Sequence, residues 1–128
     1  MNPIRIFLVD DHPKVLTQIE ERLAQEDDFK VVGKASDWNQ AKESILKSNP
    51  EVLLIDPVTP NGLDVDSIKS FQSNWPTMAI VVLTAFVDTG LMVELKKLGV
   101  CQVLEKGFAS QNLIDILRFV GSKRSMDH

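Results

Sequence analysis

The stretch VLLIDPVTPNG, residues 52–62, decides the fold. Four apolar residues run straight into Asp56, and Pro57, Pro60 and Gly62 follow at once. An apolar run this short and this rich in Val, Leu and Ile reads as a strand covered on both faces. The two prolines stiffen the turn behind it, and Gly62 supplies a permissive backbone position. The segment therefore holds one carboxylate rigidly at a strand end while the chain bends away, leaving backbone carbonyls to face whatever that carboxylate binds.

Similar runs recur on either side. IRIFLV (4–9), KVVGKA (30–35), EVLLI (51–55), AIVVLT (79–84) and CQVLE (101–105) read as five strands. Amphipathic, helix-length segments separate them. Pro13 suits a first helical turn, and Val15, Leu16, Ile19 and Leu23 recur at helical spacing behind it. Asp37 can cap a helix carrying Ala41, Ile45 and Leu46, which ends at the SNP of 48–50. Residues 64–73 place Val65, Ile68 and Phe71 on one side; residues 88–98 carry Leu91, Leu95 and Leu98, with Gly99 as the stop. Ser110 can cap a last helix with Leu113, Leu117 and Val120 on one face. Five strands alternating with five helices predict an α/β domain, a parallel sheet with helices on both faces. Function in such sheets gathers at the carboxyl ends of the strands.

Length and composition fit that reading. At 128 residues, with 44% hydrophobic and 25% charged side chains, the chain can build one core. Residues 1–121 form the expected domain, and 122–128 a polar tail or truncated linker. The net charge of -4 argues against a nucleic-acid-binding surface on this domain. A single cysteine, Cys101, excludes an internal disulfide and suits a cytoplasmic location; it is expected as a buried strand residue. No run approaches the ~20 apolar residues of a membrane span, and the N-terminus lacks the pattern of a signal peptide.

The strand ends gather a distinctive set. The first strand delivers Asp10 and Asp11, the third Asp56, the fourth Thr84, and the fifth ends close to Lys106. Crowded carboxylates repel one another unless a cation sits among them. Mg²⁺ takes hard oxygen ligands, including one or two carboxylates and a phosphate. A carboxylate can also act as a nucleophile and form an aspartyl-phosphate. Lys106 and the Thr84 hydroxyl then supply the charge and hydrogen bond that phosphoryl oxygens require.

These residues resemble the receiver domains of bacterial two-component response regulators, and the resemblance covers nearly the whole chain. FLVDDHPKV looks like the family's acidic-pair segment, and LLIDPVTPNG like its phosphoacceptor strand and turn. VVLTA is similar to its Thr/Ser-Ala element, and LGVCQVLEKG to its Gly…Lys element. The resemblance implies a single flavodoxin-like (βα)5 domain with strand order 2-1-3-4-5. It implies Asp56 as phosphoacceptor, with Thr84 and Lys106 on the phosphoryl group. Mg²⁺ is organised by Asp10 and Asp11, with Asp11 as the direct ligand, and its protein ligands are completed by Asp56 and the carbonyl of Val58. The donor is a histidine kinase or phosphotransfer protein. Such a domain promotes its own phosphorylation and dephosphorylation and turns over no external substrate. DDHP and KVVGKA look most like receivers that precede a helix-turn-helix DNA-binding domain, so nucleic acid is left to such a domain, no membrane is involved, and a homodimer is among the assemblies allowed.

Some positions depart from the family pattern. Pro57 directly follows Asp56, Thr59 stands where methionine is common, and Val103 replaces the switch aromatic. Signalling is therefore expected through the 84–90 loop. Val58 and Phe86, two residues past Asp56 and Thr84, are apolar, which predicts slow self-dephosphorylation because neither orients a water. His12 is expected to act locally at its helix start, since Mg²⁺ prefers oxygen. Trp38 and Trp75 are expected as packing anchors, and Phe86, Leu91 and Val103 as an apolar patch.

Three other functions compete. A degenerate receiver acting as a constitutive protein-interaction module fits Pro57, Thr59 and Val103 but not the intact charged set. An aspartyl-nucleophile phosphatase of the haloacid dehalogenase type wants a second Asp where Val58 stands. A dinucleotide-binding domain wants a G-x-G-x-x-G that does not follow the first strand.

Overall fold

The structure, a computed structural model, describes residues 2–60, 62–107 and 110–126, with side chains described as far as Ser122. Strands β1 (Ile4–Val9), β2 (Phe29–Ala35), β3 (Val52–Ile55), β6 (Ala79–Thr84) and β7 (Gln102–Glu105) form one sheet in the order β2-β1-β3-β6-β7. All neighbouring pairs are parallel. Helices α1 (Pro13–Ala24), α2 (Trp38–Ser48), α3 (Val65–Asn74), α4 (Thr89–Lys97) and α5 (Ser110–Met126) connect them. Counting only strands of this sheet, the order is the 2-1-3-4-5 that the resemblance implies.

Strand periodicity divides the core in two. Ile6, Leu8, Val52, Leu54, Val81 and Leu83 pack against Leu16 and Leu23 of α1 and Leu113 and Leu117 of α5. Their alternates Phe7, Val9, Leu53, Ile55, Ile80 and Val82 pack against α2, α3 and α4 through Ala41, Ile45, Ile68, Phe71 and Leu95. Every residue of β3 is at most 2% exposed, as an apolar run between two helical layers requires. Trp38 and Trp75 flank Phe71, with ring centroids 5.0 and 5.7 Å away, and close the second core at two helix ends.

Local chemistry sets the element ends. Asp37, Asp64 and Asp88 accept from the backbone N–H of Gln40, Ser67 and Leu91, so aspartates start α2, α3 and α4. Gly99 ends α4 at φ +85, a backbone position that side chains disfavour. Gly33 serves a different purpose. The β1–β2 register slips between Ile6 and Phe7, and a Cβ at residue 33 would lie 2.5 Å from the Phe7 ring.

The structure corrects three expectations. Cys101 is exposed and sits just before β7: its N–H donates to Ile80 O, while Val100 takes the inward position beside it. Leu46 is 72% exposed, because Ala41 and Ile45 define the buried stripe of α2 and the next residue falls about 100° away. Ser110 is the first residue of α5, so a cap before it lies outside the described residues, and the helix runs to Met126 through most of the expected tail. The turn after Asp56 also holds a feature the sequence reading lacks, a small antiparallel hairpin of β4 (Val58–Thr59) and β5 (Gly62–Leu63). Among the described residues no helix is long and apolar enough to cross a membrane.

Candidate functional site

The β1, β3, β6 and β7 ends meet along one edge of the sheet. Lacing continues just past the strands: Asp10 N donates to Ala35 O at 3.2 Å, Asp56 N to Val9 O at 3.1 Å, and Lys106 N to Thr84 O at 2.7 Å. The backbone thus fixes Asp10, Asp56, Thr84 and Lys106 as firmly as the strands themselves.

Their side chains converge. Lys106 Nζ lies 2.9 Å from Asp10 Oδ2 and 2.8 Å from Asp56 Oδ2. The side chains of Asp10 and Asp56 are only 4% and 5% exposed, and that of Lys106 18%. Burial by itself pushes the Lys106 ammonium down, but its hydrogen bonds to Asp56 and Asp10 and their charges outweigh it, so its pKa stands above the ordinary lysine value. Two buried carboxylates against one ammonium leave the pocket one positive charge short. Thr84 is 2% exposed, and its hydroxyl makes no hydrogen bond to any described residue. A buried hydroxyl without a partner is costly unless something else occupies it.

The hairpin explains how Val58 is presented. Asp64 N donates to Pro57 O at 2.9 Å, which makes the facing Val58 and Leu63 a pair without mutual hydrogen bonds. Pairing therefore consumes neither the Val58 N–H nor its carbonyl. The N–H donates to Asp56 Oδ1 at 3.1 Å. Thr59 Oγ1 donates to Gly62 O, and Gly62 adopts φ +110 to close the turn.

Asp11 and His12 stand on the rim. His12 Nδ1 lies 2.8 Å from Asp10 Oδ1 and 2.9 Å from Asp11 Oδ1, and its backbone N–H also donates to Asp10 Oδ1. His12 precedes α1, as its expected local role requires. One oxygen or nitrogen each from Asp10, His12 and Asp56 fall within 4.8 Å of one another, a spacing that can hold a metal ion. Asp11 lies outside this cluster and is 57% exposed. The two buried carboxylates are hard oxygen donors, which fits a hard divalent cation. The structure thus brings Asp10, Asp56 and Lys106 into direct contact, holds Thr84 at the same sheet edge through its carbonyl on Lys106 N, and sets Val58 two residues past Asp56 with its N–H on the Asp56 carboxylate. Asp11 stays on the exposed rim, joined to Asp10 through the single Nδ1 of His12. Beside the charged pocket, a groove of ≈ 320 Å³ opens between α1 and α5, with Lys106 and Gly107 in its wall.

Fold and site define a class: an open parallel α/β domain with a buried acid–lysine pocket at the carboxyl edge of its sheet. Comparison with known proteins makes the class specific. The profile of the response regulator receiver domain matches residues 6–118, so the chain belongs to the response regulator receiver family. It is 28% identical over 127 residues to the transcriptional regulatory protein DegU of Brevibacillus brevis, matching 99% of this chain and 54% of DegU. It is 27% identical over 115 residues to the transcriptional regulatory protein LiaR of Bacillus subtilis, matching 90% of this chain and 54% of LiaR. The chain therefore spans about half the length of these relatives. Among solved structures, the isolated receiver domain of RcsB from Salmonella enterica serovar Typhimurium, with the phosphomimetic BeF3-, superposes with a TM-score of 0.83 at 27% identity, covering 91% of this chain and 87% of that one. The receiver of a LuxO-type repressor from Vibrio parahaemolyticus reaches 0.86 at 18% identity and so attests the fold alone. The chain is a receiver domain of two-component signal transduction.

Proposed function

We propose that Asp56 is the phosphoacceptor of this receiver. A carboxylate oxygen of Asp56 attacks the phosphorus of a phosphohistidine, or of a small phosphodonor, and forms a new P–O bond. The P–N or P–O bond to the donor breaks, and the electron pair leaves with the imidazole or acyl oxygen. The result is an acyl phosphate on Asp56. The observation that carries this reading is Lys106 Nζ, within 2.9 Å of both Asp10 and Asp56 while both acids are buried.

Each group has a part. Lys106 moves its positive charge from the carboxylates to the transferred phosphoryl oxygens. The Thr84 hydroxyl, buried without a described partner, donates to one of those oxygens. Asp10, Asp11, Asp56 and the Val58 carbonyl hold Mg²⁺. When bound, Mg²⁺ neutralises phosphoryl charge and lets the carboxylates stay ionised together. For Asp11 to join them, it leaves His12 by a side-chain rotation, which its exposure permits.

The donor is a histidine kinase or phosphotransfer protein, in the cytoplasm. The output is a changed protein-interaction surface. DegU and LiaR are transcriptional regulators, and RcsB is found as dimers bound to DNA. By analogy this receiver governs a DNA-binding output and forms a homodimer in doing so.

The test is incubation with Mg²⁺ and acetyl phosphate, followed by intact mass. One added phosphoryl group is expected for the parent protein, and none for Asp56→Ala or with EDTA. An adduct that survives Asp56→Ala overturns the assignment.

A further inference from the structure

We propose that the Glu105 carboxylate is a latch on the loop between β6 and α4, and that phosphorylation of Asp56 opens it. The inference rests on Asp56 as phosphoacceptor. It adds the element that carries the signal away from the site, in a chain where Val103 takes the place of the switch aromatic.

The latch is built at the end of β7. Glu105 is the register partner of Thr84, and Lys106 N holds Thr84 O from the next position. Successive strand residues face opposite sides. Lys106 reaches Asp10 and Asp56, while Glu105 reaches the loop, where its Oε1 accepts from Val87 N at 3.0 Å. Among the described residues, this is the one hydrogen bond that ties residues 85–87 to the rest of the fold. No cation among the described residues pairs with Glu105, so the carboxylate is committed to this backbone amide.

The loop's two ends carry the consequence. At one end stands Thr84, whose buried hydroxyl is the donor for a phosphoryl oxygen. At the other, Asp88 caps α4 through Leu91 N at 2.8 Å. Between them Phe86 is 70% exposed. Drawing Thr84 toward a phosphoryl group displaces the start of a loop with no internal strand or helix to absorb the strain. The middle of the loop then leaves Glu105, and Phe86 and the first turn of α4 move with it. Breaking a single exposed hydrogen bond is a small step, and that suits a switch with two states close in energy.

The test follows the backbone amide signals of residues 85–90 by NMR in the parent, Glu105→Ala and Glu105→Gln, with and without Mg²⁺ and beryllofluoride. Without beryllofluoride, Glu105→Ala is expected to move these signals toward their positions in the beryllofluoride-bound parent. Its Val87 amide should exchange about tenfold faster, the order expected on losing one hydrogen bond to a charged acceptor. Glu105→Gln keeps an acceptor oxygen at the same reach and should stay close to the parent. Beryllofluoride uptake by the parent, together with unmoved loop signals in Glu105→Ala, overturns the latch alone. Failure of the parent to take up beryllofluoride overturns the phosphoacceptor reading instead.

Discussion

Lys106→Met separates the charge logic of the pocket from its packing. Methionine keeps most of the unbranched side chain but removes the ammonium that now touches both acids at 2.8 and 2.9 Å. Asp10 and Asp56 then remain buried with oxygens within 4.8 Å of each other and no counter-charge. At an effective dielectric of about 20, two unit charges at that separation repel by about 3 kcal/mol. Breaking a buried ion pair from one side carries a penalty of the same order. The variant is therefore expected to unfold about 10 °C below the parent at pH 7 in EDTA. Mg²⁺ should bind about tenfold more tightly to the variant, because the ammonium no longer competes for the same oxygens. Phosphorylation by acetyl phosphate should be lost, since the transferred group loses its cation. Thermal melts in EDTA and in Mg²⁺, with intact mass, read all of these. An unchanged melting point in EDTA, or weaker Mg²⁺ binding, refutes the claim that Lys106 balances the two acids.

Other substitutions test the surroundings. Phe86→Glu puts a carboxylate two residues past Thr84, where it can orient water; decay of the phospho-form, followed by intact mass, should accelerate on the order of tenfold, less than a fully positioned acid–base group contributes. Gly33→Ala sets a Cβ 2.5 Å from the buried Phe7 ring, so chemical denaturation should show a loss of about 1–3 kcal/mol, partly recovered by adding Phe7→Leu. Arg118 grips Asp28 with Nε and Nη2 at 2.6 and 3.1 Å and holds its pKa below the ordinary 3.8. The two side chains are still 42% and 39% exposed, so solvent screens the pair and Asp28→Asn should lower the melting point by only about 1–3 °C at pH 7. A lowered folded-state pKa adds stability above the unfolded value, and that stability is lost as the pH falls through the folded value. Parent and Asp28→Asn should therefore converge in strong acid.

The same physics decides how far the sequence was legible. Strand β3 was legible because a run buried on both faces has no alternative among short elements, and its exposure of at most 2% is what VLLI demands. The site was legible for a related reason: in a parallel sheet every strand delivers its last residue to one edge, so Asp10, Asp56, Thr84 and Lys106 needed only sequence order to meet. Side-chain partners across that edge were not legible. Nothing in DDH says that His12 Nδ1 will bridge Asp10 and Asp11 and leave Asp11 on the rim, because that choice is a rotamer and not a period. The hairpin after Asp56 escaped for want of length, since strands of two residues show no alternation to read. Cys101 failed differently: one residue decides whether a strand starts facing in or out, and Val100 took the inward place. Glu105 combines both difficulties. Beside Lys106 it reads as a solvated charge. Only the parallel register that sets it against Thr84 turns it toward the loop, where a single acceptor meets a single amide. Residues that act through strand order were written in the pattern. Residues that act through one rotamer, or through one step of register, required the fold. On this account the buried charges of the candidate site come from its sheet, and the switching proposed for it comes from side chains such as Glu105 and Phe86, which no periodicity constrains.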